Sequence, residues 1–179
     1  MKTTEILIAG FGGQGILFSG KFIAYKGLLE DLQVSWLPSY GPEMRGGTAN
    51  CNVILSDTPV GSPIITTPDV LIAMNTPSLL KYVDAVAPGG QIYVDSSLID
   101  AKVERDDVDV FYIPATQMAK EAGIVTLANM VIIGHLLENH PELSFEGTEE
   151  VVEKLVPPKK AALKELNMKA LALGRDYKN

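Results

Sequence analysis

Short apolar runs alternate with longer stretches of helical periodicity along most of the chain, a pattern that predicts strands joined by crossover helices. The runs place strands near Ile6–Ala9, Val34–Leu37, Asn50–Leu55, Val70–Met74, Ile92–Asp95 and Val110–Ile113. Between Gln14 and Glu30 the residues Ile16, Leu17, Phe22, Ile23, Ala24 and Leu28 recur at helical spacing, as expected of a crossover helix with one face on a sheet. The stretch that opens at Asp69 reads as strand, helix, a "PGG" stop and a second strand.

From Pro114 onward the alternation fades and four helical segments follow, "PATQMAKEAG", "LANMVIIGHLLEN", "GTEEVVEKLV" and "PKKAALKELNMKALALGRDYK". Thr148 is placed as the N-cap of the third. In the last, Leu163, Leu166, Ala170, Leu173 and Tyr177 fall at steps of three and four, which predicts that this stripe docks on the core. The expected architecture is an α/β fold: a three-layer α/β/α single domain over residues 1–179, with a mostly parallel, Rossmann-like sheet and a helical C-terminal third.

Composition narrows the function. The net charge is −7 and no basic stripe is present, so nucleic acid, which is bound by clustered Lys and Arg, is not an expected partner. No apolar run reaches the roughly 18 residues that would cross a bilayer, and no secretory signal precedes the first strand, so no membrane partner and a cytoplasmic location are expected. Cys51 is the single cysteine; a thiolate-held iron–sulfur cluster or zinc site needs several, so no metal is expected on this chain.

Two segments carry candidate chemistry. In "AGFGGQGILFSG", Gly10, Gly12 and Gly15 match G-x-G-x-x-G between a strand and a helix, the context the dinucleotide fingerprint requires. Glycines let backbone N–H groups face a ligand, and the helix N-terminus adds partial positive charge, so phosphate or carboxylate suits this turn. Gly13 and Gln14 complete the candidate set, Gln14 as an amide available to a ligand or partner. The fingerprint's second half fails: Glu30 and Asp31 precede the next strand, and the end of that strand is "WLPSYG".

The second segment, "LPSYGPEMRGGTAN", gathers Tyr40, Glu43, Arg45, Gly46 and Gly47 in a loop rich in Pro and Gly. A guanidinium there is suited to bidentate capture of carboxylate or phosphate. A plain Glu43–Arg45 surface pair is the bland reading of the same residues.

Together, "GFGGQG" at 10–15 and "YGPEMRGG" at 40–47 resemble the gamma subunit of 2-oxoacid:ferredoxin oxidoreductases over essentially the whole chain. The resemblance implies a subunit with no catalytic residues of its own, inactive alone, in a complex with alpha, beta and in some members delta subunits. That complex converts a 2-oxoacid and coenzyme A to acyl-coenzyme A and carbon dioxide while reducing ferredoxin. It further implies thiamine diphosphate and iron–sulfur clusters on the partner subunits, and coenzyme A as a co-substrate that this chain contacts through one of the two segments, or else a docking role for them.

Other candidates are weaker on the residues alone. Asp95 at a strand end suits either a ligand contact or the cap of the next turn; His135 and His140 have no triad or metal-ligand spacing; Asn129 is a lone amide in an apolar helix, set for an interface or a satisfied core. A free-standing NAD(P)-dependent oxidoreductase and a purely structural interaction subunit remain open alternatives.

Overall fold

A computed structural model describes residues 2–39 and 48–178 of the chain. Six strands form one sheet in the order β2-β3-β1-β4-β5-β6: β1 (Thr3–Phe11), β2 (Gln33–Ser39), β3 (Thr48–Ser56), β4 (Val70–Ala73), β5 (Gln91–Asp95) and β6 (Asp109–Ile113). All six predicted runs are strands. β1, β4, β5 and β6 pair in parallel, whereas β3 pairs antiparallel with both β1 and β2. The sheet is therefore mixed, because β2 and β3 pair across a single connecting segment, 40–47, as a hairpin does. Pro38 is tolerated because β2 is an edge strand.

Among the described residues six α-helices cover the sheet: α1 (Ile16–Leu29), α2 (Thr76–Tyr82), α3 (Ala115–Glu121), α4 (Ala128–Asn139), α5 (Thr148–Leu155) and α6 (Ala161–Asp176). The two outer layers are unequal. One face packs Ile6, Ile8, Val53 and Ile72 against α1, α3, α4, α5 and α6. The other packs Leu7, Leu71, Ile92 and Val94 against α2, Val83 and Val86 just after it, and the strand-free stretch around Ile99.

The helical third is held by close backbone approach. A Cβ on Gly134 of α4 would strike the carbonyl of Leu171, and one on Gly174 of α6 would strike that of Val131. These glycines are needed for space, since neither has a positive φ. The buried face of α6 is Asn167, Ala170, Leu171 and Gly174; of the predicted stripe Ala170 is buried and Leu173 and Tyr177 pack against the core, whereas Leu163 and Leu166 stand at the surface. Gly174 faces inward because a residue with a Cβ there would not let the helix come this near to α4. A second correction concerns α5. Its N-cap is Gly147 at φ 75°, and Thr148, buried, is the first helical residue and caps nothing.

Candidate functional site

The glycine turn leaves β1 at Phe11 and enters α1 at Ile16. Gly13 (φ 93°) and Gly15 (φ 76°) both take left-handed backbone that side chains disfavour. Gly15 is the N-cap of α1, so no side chain caps this helix, and its first turn carries no acidic residue. The N–H groups of Gly12, Gly13 and Gly15 donate to no acceptor among the described residues. Uncapped N–H groups and a positive helix end make an anion-accepting surface.

Gln14 holds this turn in shape. Its Oε1 accepts from Phe11 N (2.6 Å), while its Nε2 donates to Met74 O (2.9 Å) at the end of β4. The amide that the sequence offers to a ligand is thus bonded at both ends to main chain, and Gln14 acts as a strut between two strand ends. Gly10 makes room for it, since a Cβ there would lie 2.6 Å from Gln14 Oε1 and 2.7 Å from Ile16 Cδ1.

Asn129, for which the sequence left an interface and a core role open, is a buried residue with partners inside the chain. From the first turn of α4 its Nδ2 donates to Gly15 O (3.2 Å) and Ser19 Oγ (3.0 Å). It therefore clamps the start of α1 from a point 114 residues downstream. A lone amide in "TLANMVIIG" signals a polar partner, but no spacing rule names a glycine carbonyl as that partner.

Tyr40, Glu43, Arg45, Gly46 and Gly47 lie outside the described residues. Their flanks do not: Thr48 is paired with Phe11, the last residue of β1, and Ser39 with Asn50. Both ends of the Arg45 segment thus stand at the end of the sheet where β1 gives way to the glycine turn.

Other candidates resolve as structural groups. Asp95, fully buried, accepts from Ser97 N (3.1 Å), Thr116 N (3.3 Å) and Thr116 Oγ1 (2.5 Å), tying the end of β5 to α3. His135 Nδ1 donates to Gly174 O (3.1 Å), and burial holds its pKa below the ordinary histidine value. His140 is likewise pushed down by burial, and its Nδ1 accepts from Glu142 N. Burial raises the Cys51 thiol to about 12, and its Sγ donates to Ile16 O under the first turn of α1. No three His, Cys, Asp or Glu residues among those described come together to hold a metal ion. No helix among the described residues is long and apolar enough to cross a membrane.

The topology also weighs against ordinary dinucleotide binding. In that fold the strand beside β1 carries, at its end, the acid that binds the ribose. Here β3 occupies that place and runs antiparallel, while β2 lies one strand further out and contains no Asp or Glu.

The profile of the family described as pyruvate ferredoxin/flavodoxin oxidoreductase matches residues 5–177. The chain is 38% identical over 179 residues to the 2-oxoglutarate synthase subunit KorC of Methanothermobacter marburgensis, covering 96% of this chain and 95% of that one. It is 38% identical over 174 residues to the ketoisovalerate oxidoreductase subunit VorA of Methanothermobacter thermautotrophicus, covering 97% of this chain but 36% of VorA. It thus spans about a third of the second relative's length.

Among solved structures, it resembles the gamma subunit of a keto/oxoacid ferredoxin oxidoreductase from Geobacter sulfurreducens, with TM-score 0.80, 30% identity, and 96% and 95% of the two chains covered. It also resembles a 2-oxoglutarate:ferredoxin oxidoreductase from Magnetococcus marinus with 2-oxoglutarate, coenzyme A and succinyl-CoA bound, with TM-score 0.86 and 28% identity over 99% of this chain and 32% of that one. With its sheet order, its uncapped glycine turn and a family match across nearly the whole sequence, this chain belongs to the pyruvate ferredoxin/flavodoxin oxidoreductase family.

Proposed function

We propose that this chain is the gamma subunit of a cytoplasmic 2-oxoacid:ferredoxin oxidoreductase and that its glycine turn, with the Arg45 segment, forms an anion-binding wall completed by sister subunits. In the holoenzyme a 2-oxoacid and coenzyme A yield acyl-coenzyme A and carbon dioxide, and the two electrons released pass to ferredoxin. Thiamine diphosphate and iron–sulfur clusters sit on the alpha, beta or delta partners. The donor set of this chain agrees with that division: its single thiol is buried, raised to about 12 and committed to Ile16 O.

The observation that carries the reading is the start of α1, where a 14-residue helix begins on a left-handed glycine and the N–H groups of Gly12, Gly13 and Gly15 meet no acceptor among the described residues. N–H groups left open at a helix start are met by water or by a ligand, and the positive helix end favours an anion. The coenzyme A phosphates or the carboxylate of the 2-oxoacid supply such acceptors, and Arg45 supplies the countercharge.

Kinetics of the reconstituted complex test this. Arg45→Ala is expected to leave assembly intact and to raise the KM for coenzyme A about 10- to 100-fold, the loss of one charge-assisted hydrogen bond. Unchanged kinetics would remove the ligand role of that segment. Micromolar NAD binding by the isolated chain, or turnover without sister subunits, would instead overturn the subunit assignment.

A further inference from the structure

Beside the glycine turn, on the helical side of the molecule, lies a cavity of about 270 Å³ whose wall includes Gly13, Phe18, Leu127, Asn129, Leu163 and Asn167. Asn129 and Asn167 are each only 3% exposed. Each spends its NH2 group internally, Asn129 on Gly15 O and Ser19 Oγ, Asn167 on Leu163 O (2.7 Å). In both, the side-chain carbonyl oxygen is left with no donor. Buried amide oxygens rarely go unpaired, and both of these belong to residues that line one cavity, which points to an occupant that brings N–H groups.

The rim adds two further features. Leu163, on the cavity wall, is 38% exposed, and Leu127, Leu155 and Pro157 line the same cavity. Lys160 lines the cavity and Lys159 is exposed beside it. Neither lysine has an acidic partner among the described residues, although the chain as a whole carries −7. The mouth is therefore apolar and cationic on an otherwise acidic molecule.

We infer that this groove seats an extended segment of a sister subunit, with an apolar side chain in the cavity, main-chain N–H groups turned toward Asn129 and Asn167, and carboxylates at Lys159 and Lys160. An extended main chain carries regularly spaced donors and is recognised in this way at grooves. A sister segment fits better than a second copy, because in VorA the same unit is about a third of a longer chain and adjoins other sequence covalently. The inference rests on the subunit reading, and it names the face through which the subunit docks.

The test uses the complex purified after co-expression with its sister subunits. Zero-length carbodiimide cross-linking is expected to join Lys159 or Lys160 to an Asp or Glu of a sister subunit, and hydroxyl-radical labelling of Leu163 is expected to fall at least fivefold on assembly. Leu163→Glu is expected to weaken association of this chain at least tenfold and Lys160→Glu severalfold. Glu104→Lys, in the stretch between β5 and β6, serves as a control without effect. Leu163 and Lys160 lie at the surface, so unchanged melting of the isolated variants separates docking from folding.

A complex that forms with Lys159, Lys160 and Leu163 as reactive as in the free chain overturns the docking face and leaves the subunit reading standing. Cross-links confined to two copies of this chain, or protection by added coenzyme A alone, overturn it as well. A chain that never co-purifies with sister subunits overturns both.

Discussion

Two kinds of glycine hold this molecule, and they hold it in opposite ways. At the α4–α6 crossing, Gly134 and Gly174 have ordinary negative φ and are glycines because a carbonyl of the other helix occupies the place of a Cβ. At the turn before α1, Gly13 has φ 93° and nothing within 4 Å of where a Cβ would go. One region uses glycine to remove space and the other uses it to keep backbone N–H groups facing outward. Gly15 combines the two, with φ 76° and Asn129 Nδ2 only 2.5 Å from a notional Cβ. Packing glycines therefore govern stability, and the open glycine is free to serve recognition.

The sharpest way to break this comparison is Gly174→Ala. The new methyl has nowhere to go but into a backbone carbonyl, so α6 must slide from α4, pulling His135 from Gly174 O. Overpacking of this kind should cost about 3 kcal/mol or more and lower the melting temperature by roughly 6–12 °C. A thermal melt with no shift would mean that the helices are not in backbone contact.

Gly15→Ala comes next. Left-handed backbone costs a non-glycine residue roughly 1–2 kcal/mol, and the methyl also displaces the Asn129 clamp. Gly13→Ala should bear the conformational term alone, about 1 kcal/mol. If the turn binds an anion, coenzyme A kinetics of the complex should suffer more from Gly13→Ala than its small melting shift suggests. Equal stability losses at positions 13 and 15 would erase the distinction between open and packed glycine.

These glycines also mark what could be read from the chain. The strands were legible because each is a short apolar run bounded by turn formers, and the turn because four glycines fall within residues 10–15 between a strand and a helix. The buried face of α6 was legible only in part, at Ala170, Leu173 and Tyr177. The leucines at 163 and 166 outweigh Gly174 on any hydrophobicity count, yet inwardness was decided by how near α4 comes, which depends on Gly134, forty residues away. The direction of β3 was equally hidden, since alternating apolar residues specify a strand and not its neighbour. Thr148 was misplaced as a cap because Gly147 satisfies the entry to α5 by conformation alone. Of the candidate site, the motif was legible but not the role of Gln14: a strut and a ligand contact have the same letter.

A smaller effect is expected from His135, which sits in the tight region with Phe111 and Tyr177 at its ring edges. Burial disfavours its charged form, so the folded state takes up a proton less readily than the unfolded chain. Stability is then full above the ordinary value of 6.5 and is lost as pH falls below it. Thermal melts at pH 7 and pH 5 should show this decline, and His135→Asn should flatten it in part. His140, lowered by burial in the same direction, supplies the remainder. A melting temperature that rises on acidification would contradict the burial of both rings.

The smallest expected signal is a null one, and it tests the border between the two regions. Cys51 lies under the first turn of α1, with its Sγ donating to Ile16 O and a Cβ on Gly20 barred by that sulfur. The glycine turn is open on its outer side only if this inner side stays shut. With the thiol raised to about 12 and fully buried, a thiol-specific reagent at neutral pH should label the folded chain no faster than it unfolds. Fast labelling would mean that the start of α1 lifts from the sheet. The bare N–H groups would then belong to a fraying helix end and not to a preformed anion site, and the contrast with the α4–α6 crossing would reduce to one of local stability.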